Sequence, residues 1–499
     1  MQRAPARAPA ASVKQEGPPA VFRTASLKGD SNLGPAVNRF CCKRVTPSTR
    51  TCLTRLFLLF LLLLISLATL GHGLNEAWGV SFSTFGFGPK AIGMGQAFTG
   101  VADDFTAAWY NPAGMTLHNR LEVGFGYSYM RPFLEVNGKD FRVQDCHSLS
   151  LGCSLPIPFS AWLKDRVYFG LAFYMPWNLI FGLKVPLPQE PQFVLLQNEP
   201  RDITVVPALA VKLSPALSVG GSVILNDNTF GSFSATLTSE NEVVLDVNQE
   251  LIVTLTPAVS VLFSPGRIWP VLEGLRAGFS WRDAFMIKYT FKPLIGIGTI
   301  PLIIDFAAIS MYQPEQFTLG LSYQVTQRLL AAVDLSYQRW SRMPDPNLVT
   351  GFDFKFPIFP VTFAPTQPLA PHMRDIVVPR FGLHYEVASS DRADISLRAG
   401  YSFEASPVPA QSGFTNYMDN DKHVFAFSPE VRVKQWAGKP LKYPVSVGGF
   451  IQYHHIKRRA AQKDPQVLEA YPGYPYASIE GHGTILNVGV FVSSSLEMP

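Results

Sequence analysis

From Arg120 onward, hydrophobic residues alternate one for one with polar or small residues over long stretches. Leu121, Val123, Phe125, Tyr127 and Tyr129 are interleaved with Glu122, Gly124, Gly126 and Ser128. Phe317 to Val325, Val333 to Tyr337, Ile395 to Phe403 and Leu486 to Val492 repeat the pattern. Successive side chains of a strand point to opposite faces, so each stretch predicts a strand with one apolar and one polar face. Fourteen segments are expected, near 120–131, 147–160, 166–177, 201–213, 217–238, 240–264, 273–288, 314–325, 328–340, 376–388, 393–404, 422–434, 443–456 and 481–493. Most exceed the ~5–6 residues usual in soluble sheets and suit strands that cross a bilayer at a tilt.

The joins carry more information than the strands. Those after even-numbered segments are short, such as Ser214-Pro215-Ala216 and Thr326-Gln327. Most after odd-numbered segments are long, notably 178–200, 289–313, 341–375, 405–421 and 457–480. Aromatic residues mark the segment ends at Tyr129, Tyr174, Trp177, Trp281, Tyr337, Trp340 and Tyr453. Short turns alternating with long loops, an even strand count and aromatic rims describe a barrel of the bacterial outer membrane. Only a closed barrel leaves no unpaired backbone edge in lipid. The predicted fold is therefore all-β, a 14-stranded antiparallel transmembrane β-barrel over residues 120–499, with both termini in the periplasm.

The charged fraction of 16% is below the ~25% of soluble domains, as a lipid-facing surface requires. The formal charge of +5 is misplaced for nucleic-acid binding. Of 42 Lys/Arg and 37 Asp/Glu, ten and two lie in residues 1–55, which leaves 32 and 35 from Leu74 onward. A basic nucleic-acid surface would need its excess in the folded part.

That basic stretch, residues 1–55, is rich in Pro, Ala and Ser without hydrophobic period and is expected to be disordered. Residues 56–73 hold the apolar run Leu56 to Leu70 and then Gly71-His72-Gly73, the pattern of a secretory signal cleaved after Gly73. The run is shorter than the ~20 residues that span a bilayer as a helix. Residues 1–50 are long for a signal's charged region, so translation is expected to begin at a non-AUG codon such as that of Val45. Cys146 and Cys153 remain after cleavage, and pairing them needs a turn between them. No Cys/His cluster has metal-ligand spacing, and no cofactor or metal is expected. G-x-S-x-G, H-E-x-x-H and P-loop patterns are absent.

Residues 74–119 do not alternate. Glycines at 86, 88, 93, 95 and 100 interrupt short helix-compatible pieces. A barrel of fourteen strands is wider than its side chains can fill and is commonly plugged, so this segment is expected to form a short, partly helical hatch.

Here the sequence resembles a known family. Ala102-Asp103-Asp104, then after six intervening residues Asn111-Pro112-Ala113 just ahead of the first strand, resembles the FadL/TodX outer-membrane transporters of hydrophobic compounds. Leu74-Asn75-Glu76, Gly93-Met94-Gly95-Gln96-Ala97, and Gly170-Leu171 with Pro176-Trp177-Asn178-Leu179 resemble further stretches of that family. The resemblance implies a plugged fourteen-stranded barrel, ligand pockets among the outer loops and above the hatch, and exit through a gap in the wall. It implies diffusion of long-chain fatty acids or aromatic hydrocarbons. One departure is the C-terminus: members usually end in an aromatic residue, whereas the last aromatic here is Phe491.

Candidate residues follow. Asp103 and Asp104 suit a helix N-cap pair or salt bridges to inward Arg276, Arg282 or Arg398. Asn111, Pro112 and Ala113 form a turn, since the residue before proline avoids helical backbone, and this turn is expected to move with the hatch. Gly170 and Pro176 weaken one strand and mark a lateral gate. Phe181, Leu183, Phe193, Leu195 and Leu196 make an apolar outer-loop stretch suited to ligand capture or to packing between loops; residues 294–309 read similarly. His384 is expected to face the lumen, and His454-His455 beside Lys457-Arg458-Arg459 to sit at an exposed strand tip facing lipopolysaccharide phosphate, a carboxylate or solvent. Expected partners are hydrophobic small molecules, outer-membrane lipid and lipopolysaccharide, and the barrel-assembly machinery, with the protein a monomer. A general porin or structural barrel, and an outer-membrane lipid-modifying enzyme, stand as rival readings.

Overall fold

The structure is a computed structural model that describes residues 85–497 apart from 144, 177–188, 194, 197–202, 238–242, 292–293, 298–299, 345–348, 355–360 and 364–371. The leader, the signal segment and residues 74–84 lie outside the described residues, as do Trp177, Phe181 and Leu183.

Fourteen strands form the wall: β1 (Arg120–Val136), β2 (Cys146–Pro156), β3 (Val167–Pro176), β4 (Thr204–Lys212), β5 (Leu217–Leu237), β6 (Val243–Phe263), β7 (Leu275–Arg282), β8 (Gln316–Gln324), β9 (Leu329–Gln338), β10 (Ile376–Ser389), β11 (Ala393–Glu404), β12 (Lys422–Trp436), β13 (Lys439–Gln462) and β14 (Ser478–Glu497). Each pairs antiparallel with the next, as in the β8–β9 ladder from Gln316↔Gln338 to Gln324↔Leu330. The last closes on the first from Arg120↔Glu497 to Val136↔Gly481. Among the described residues the wall has no edge strand, so its backbone pairs strand to strand rather than with water.

The two faces of the wall are inverted relative to a soluble protein. Outward Leu335 is 48% exposed while its inward neighbour Ser336 is 0%. Val123, Leu319, Phe381, Val447 and Val490 continue the outward apolar band, and Ser260, Ser280, Ser322, Asp334 and Gln452 face inward and are buried. Such a band is stable only against lipid. Tyr337 and Tyr453 stand on one rim; Trp162, Trp269 and Trp436, all exposed, stand on the opposite turns, where amphipathic rings favour the headgroup level. Trp340 is a correction to the expected girdle. It is buried against Tyr312 at 5.9 Å within a loop cluster.

The outer side is more structured than the loop lengths suggest. The segment expected at 273–288 splits: β7 stops at Arg282, and the chain resumes as Phe285–Phe291, which leaves the wall to pair with Ile300–Gln313. Those residues, with Val349–Phe354, extend the sheet outside the wall, so the long joins 289–313 and 341–375 contain strand. β13 runs past the expected 456 to Gln462 because its outer end goes on pairing with β14. Cys146 and Cys153 lie on β2 opposite Met130 and Val123 of β1; the straight strand between them keeps the two thiols from bonding to each other.

Candidate functional site

Residues 85–119 fill the ring. Phe87, Met94, Phe98, Val101, Phe105 and Trp109 share one buried cluster with wall residues Tyr168, Ala172, Val206, Ala208, Ile224 and Ala332. Locally the segment is α1 (Pro89–Gly93), α2 (Ala107–Tyr110) and a 3₁₀ turn over Pro112–Leu117. Gly88, at φ 76°, leads into α1, and Pro89 occupies its first position, where the missing N–H costs nothing. Asn111, ahead of Pro112, is extended at φ −157° and ψ 90°, as pre-proline sterics demand.

The Asn111-Pro112-Ala113 turn is an anchor. Asn111 Nδ2 donates to Thr99 O at 2.7 Å and to Val261 O of β6 at 3.3 Å, and its Oδ1 accepts from Ala113 N at 3.1 Å. Ala113 N also donates to Ser260 Oγ at 3.0 Å, and Thr116 Oγ1 lies 2.6 Å from Ser218 Oγ. The polar ties continue toward Phe98. Asp334 Oδ2 accepts from the backbone N–H groups of Phe98 and Thr99, and Ser322 Oγ donates to Gly100 O at 2.8 Å. Arg282 donates to Trp109 O at 2.6 Å and stacks its guanidinium 3.6 Å over the Trp109 ring.

Inward glycines make room for this backbone to approach the wall so closely. Gly124, Gly152, Gly170, Gly220, Gly278, Gly320, Gly382 and Gly400 lie on eight strands, and each has hatch atoms where a Cβ would stand. At Gly278 the obstacle is Thr99 O, and at Gly400 it is the backbone N of Gly95. Neither obstacle is the end of a flexible side chain, so neither can yield. In the sequence these glycines count only as small members of the inward face, and their common purpose is visible only once the hatch is seated.

Asp103 and Asp104 act within the hatch and do not reach the predicted arginines. Asp104 Oδ1 accepts from Thr106 N at 2.8 Å and from Thr106 Oγ1, closing the turn into α2. Asp103 pairs with Lys90 at 2.5 Å and lies 3.8 Å from His118. Arg282 serves Trp109, and Arg398 pairs with Glu430 at 2.6 Å. Burial pushes the Asp103 carboxyl up, but Lys90 and His118 outweigh it and hold it well below the ordinary range. Burial raises Asp104 instead, with the neighbouring Asp103 charge adding to the rise against Lys90 and Thr106.

Above the hatch, Phe85 joins Met130, Leu134, Phe193, Leu196, Met418, Ile456 and Ile485 in a second buried apolar cluster. Residues 192–193 pair with Tyr417–Met418 to cover it. A cavity of about 30 Å³ separates Phe85 and Phe87 from β1, β2 and β14. On the periplasmic side a cavity of about 280 Å³ opens between Lys90, Asp103, His384, Arg398, Glu430 and Ser494, so His384 faces the lumen as expected. An apolar cluster thus lies on the outer side of the hatch and a charged cavity on its periplasmic side.

The sequence model described as "Outer membrane protein transport protein (OMPP1/FadL/TodX)" matches residues 89–427, more than half of the chain. The chain belongs to this family. Among solved structures, a Pseudomonas aeruginosa FadL homologue superposes with a TM-score of 0.52 at 13% identity, over 85% of this chain and 100% of that one. The P. putida toluene transporter TodX gives 0.48 at 15% identity, over 83% and 99%. The Ralstonia pickettii toluene transporter TbuX gives 0.47 at 13% identity, over 84% and 100%. No curated protein matches the sequence.

Within this OMPP1/FadL/TodX-family outer-membrane barrel, the other predicted residues fall as follows. Gly170 lies in unbroken ladders, opposite Ser154 of β2 and Ala208 of β4, and its bare backbone makes room for Met115. Pro176 is the last residue of β3, opposite Ser148. Among the described residues, β3 pairs with β2 from Tyr168 to Pro176 and with β4 from Val167 to Tyr174. Phe193 and Leu196 are buried against wall residues such as Met130 and Ile485, and Leu195 is buried in the cluster of Trp340 and Tyr417. The side chains of 294–309 lie outside the described residues. His454 corrects the expected strand tip: it is 1% exposed, inside the lumen, because β13 continues beyond it.

Proposed function

We propose that this OMPP1/FadL/TodX-family barrel is a passive channel for hydrophobic small molecules such as long-chain fatty acids or aromatic hydrocarbons. One observation carries the reading: an apolar column reaches from the outer cover at Phe193 and Met418 down to Phe85 on the hatch. An apolar molecule entering that column gains roughly 25 cal/mol per Å² of surface removed from water. A general porin has no use for such a column, and a sealed lumen does not serve bulk diffusion. Ligand is captured under the outer loops, the hatch shifts at its Phe85–Met94 end while Asn111 to Thr116 stay pinned, and release follows past the hatch. A lateral exit at Gly170 and Pro176 requires β3 to part from a neighbour when the hatch moves. The test is uptake into proteoliposomes of a radiolabelled fatty acid and of toluene, beside a sugar of similar mass. Saturable uptake of either hydrophobic compound without the sugar is the expected result; sugar entry at the same rate rejects it in favour of a porin.

A further inference from the structure

His454, Gln452 and Asn487 form a polar patch on β13 and β14 in the floor of the apolar column. Gln452 and Asn487 are opposite each other in register, and His454 faces Ile485 one step outward. The three side chains are 0%, 2% and 1% exposed for Gln452, Asn487 and His454. Asn487 Nδ2 donates to Gln452 Oε1 at 3.0 Å, which leaves Gln452 Nε2, Asn487 Oδ1 and both ring nitrogens of His454 without a hydrogen-bond partner among the described residues. The imidazole lies 5.0 Å from the Phe85 ring of the hatch. Asn487 lines the small cavity that also touches Phe85 and Phe450. Buried polar atoms are almost always satisfied, and four orphans together in an apolar column need a reason.

We propose that this patch selects the polar head of the ligand, and that the head is an uncharged hydroxyl on a hydrophobic body, a phenol or an alcohol. This rests on the transporter reading and narrows it. The amide nitrogen offers donors, the amide oxygen an acceptor, and an uncharged imidazole one of each. A hydroxyl both donates and accepts, so it can engage two of these atoms at once; a plain hydrocarbon engages none. A carboxylate is disfavoured because it only accepts and needs a counter-charge. The nearest cation of the neighbouring strand, Lys422, is already held by Glu404 at 2.9 Å and Asp419 at 3.0 Å. The ligand's hydroxyl sits beside His454 and Asn487 with its body against Phe85, Met130 and Ile485. Displacing Phe85 from the imidazole then couples head recognition to movement of the hatch at Phe85.

The experiment measures equilibrium binding of 4-propylphenol, propylbenzene and 4-propylbenzoate to the full protein in lipid nanodiscs, with protein-free nanodiscs subtracted. The parent is expected to bind the phenol about tenfold more tightly than propylbenzene, the worth of one or two buried hydrogen bonds, and the benzoate most weakly. His454→Phe and, separately, Asn487→Leu should bring phenol and hydrocarbon to parity while leaving propylbenzene binding unchanged. The second variant guards against a misfit of the larger ring introduced in place of the imidazole. Parity in the parent, or a preference that survives both substitutions, overturns the hydroxyl assignment alone. Tightest binding of the benzoate overturns it in favour of a charged head. Failure of all three compounds to bind a properly folded parent overturns the transporter reading with it.

Discussion

Arg282 holds the hatch to the wall through two interactions that its neighbours cannot replace. Its guanidinium covers the Trp109 ring at 3.6 Å and donates to the Trp109 carbonyl, both away from water. Arg282→Met keeps the stem but orphans a buried carbonyl and removes the cation–π contact, a loss of about 2 kcal/mol. Amide exchange in residues 98–111 should then quicken roughly thirtyfold, read by mass spectrometry, with the wall strands unaffected; unchanged exchange would place the hold elsewhere. Asp103 makes a pH prediction. Its folded carboxyl titrates below the ordinary value near ~3.9, so the stability from its pair with Lys90 is whole above about pH 4 and is lost only as pH falls through the lower folded value. The difference in hatch protection between the parent and Asp103→Asn should therefore stay flat from about pH 8 to pH 5 and close below about pH 4. A difference that already shrinks between pH 7 and 6 would show that a group other than Asp103 carries the effect. Of these residues the sequence singles out the aspartate pair, as caps or as partners of inward arginines, and Arg282 as one of those arginines; Asp104 closes the turn at Thr106, while Asp103 pairs with Lys90. A spacing can announce a cap, but it cannot say which of several lumen arginines the fold brings near.

The elements are more legible than their ends. Strict alternation is a property of each strand alone, so the wall strands can be placed before any contact is known. Their outer limits cannot, because pairing continues beyond the bilayer wherever a neighbour strand is long, as β13 does against β14. β7 stops short for the converse reason: its β8 partner begins only at Gln316. The hatch elements are legible as short interrupted pieces, but their fit to the wall depends on eight strands at once. Asn111 belongs to this scale, because one side chain ties the pre-proline turn to the hatch and to β6. Asn111→Ala removes three hydrogen bonds at roughly 1 kcal/mol each and should lower uptake severalfold while ligand binding under the outer loops persists. Gly170 and Pro176 can now be separated. Gly170→Val drives a side chain into Met115, so it should disturb the hatch whether or not a lateral gate exists. Pro176→Val touches only the end of β3. Reduced uptake in Pro176→Val with normal hatch exchange supports a gate at this strand, and normal uptake in both variants removes it.

At the scale of the whole molecule, wall and hatch divide the work of being stable in lipid and closed to water. The wall needs no hatch to satisfy its backbone, since β14 closes on β1 along the full ladder. The hatch needs the wall, because residues such as Phe98, Val101 and Trp109 are buried and its helices are far too short to persist alone. This asymmetry predicts the outcome of deleting residues 76–112. The barrel should still assemble, still reach the outer membrane, and still migrate faster on gels unheated than boiled. Its lumen would lose the backbone that fills the space over Gly278, Gly320 and Gly400, and the small inward side chains there cannot close the opening. Planar-bilayer recordings should therefore show ion conductance rising from near the baseline to the level of an open porin, and saturable uptake of hydrophobic ligand should vanish because nothing divides the apolar outer compartment from the charged inner one. Arg282 and Asp334, with Arg380 of β10 beside them in the same lumen cavity, would then line open water, so the conductance should also depend on ion charge and fall in selectivity at high salt. A deletion variant that conducts no more than the parent would mean that the outer loops alone seal the barrel, and the hatch would have to be assigned another task.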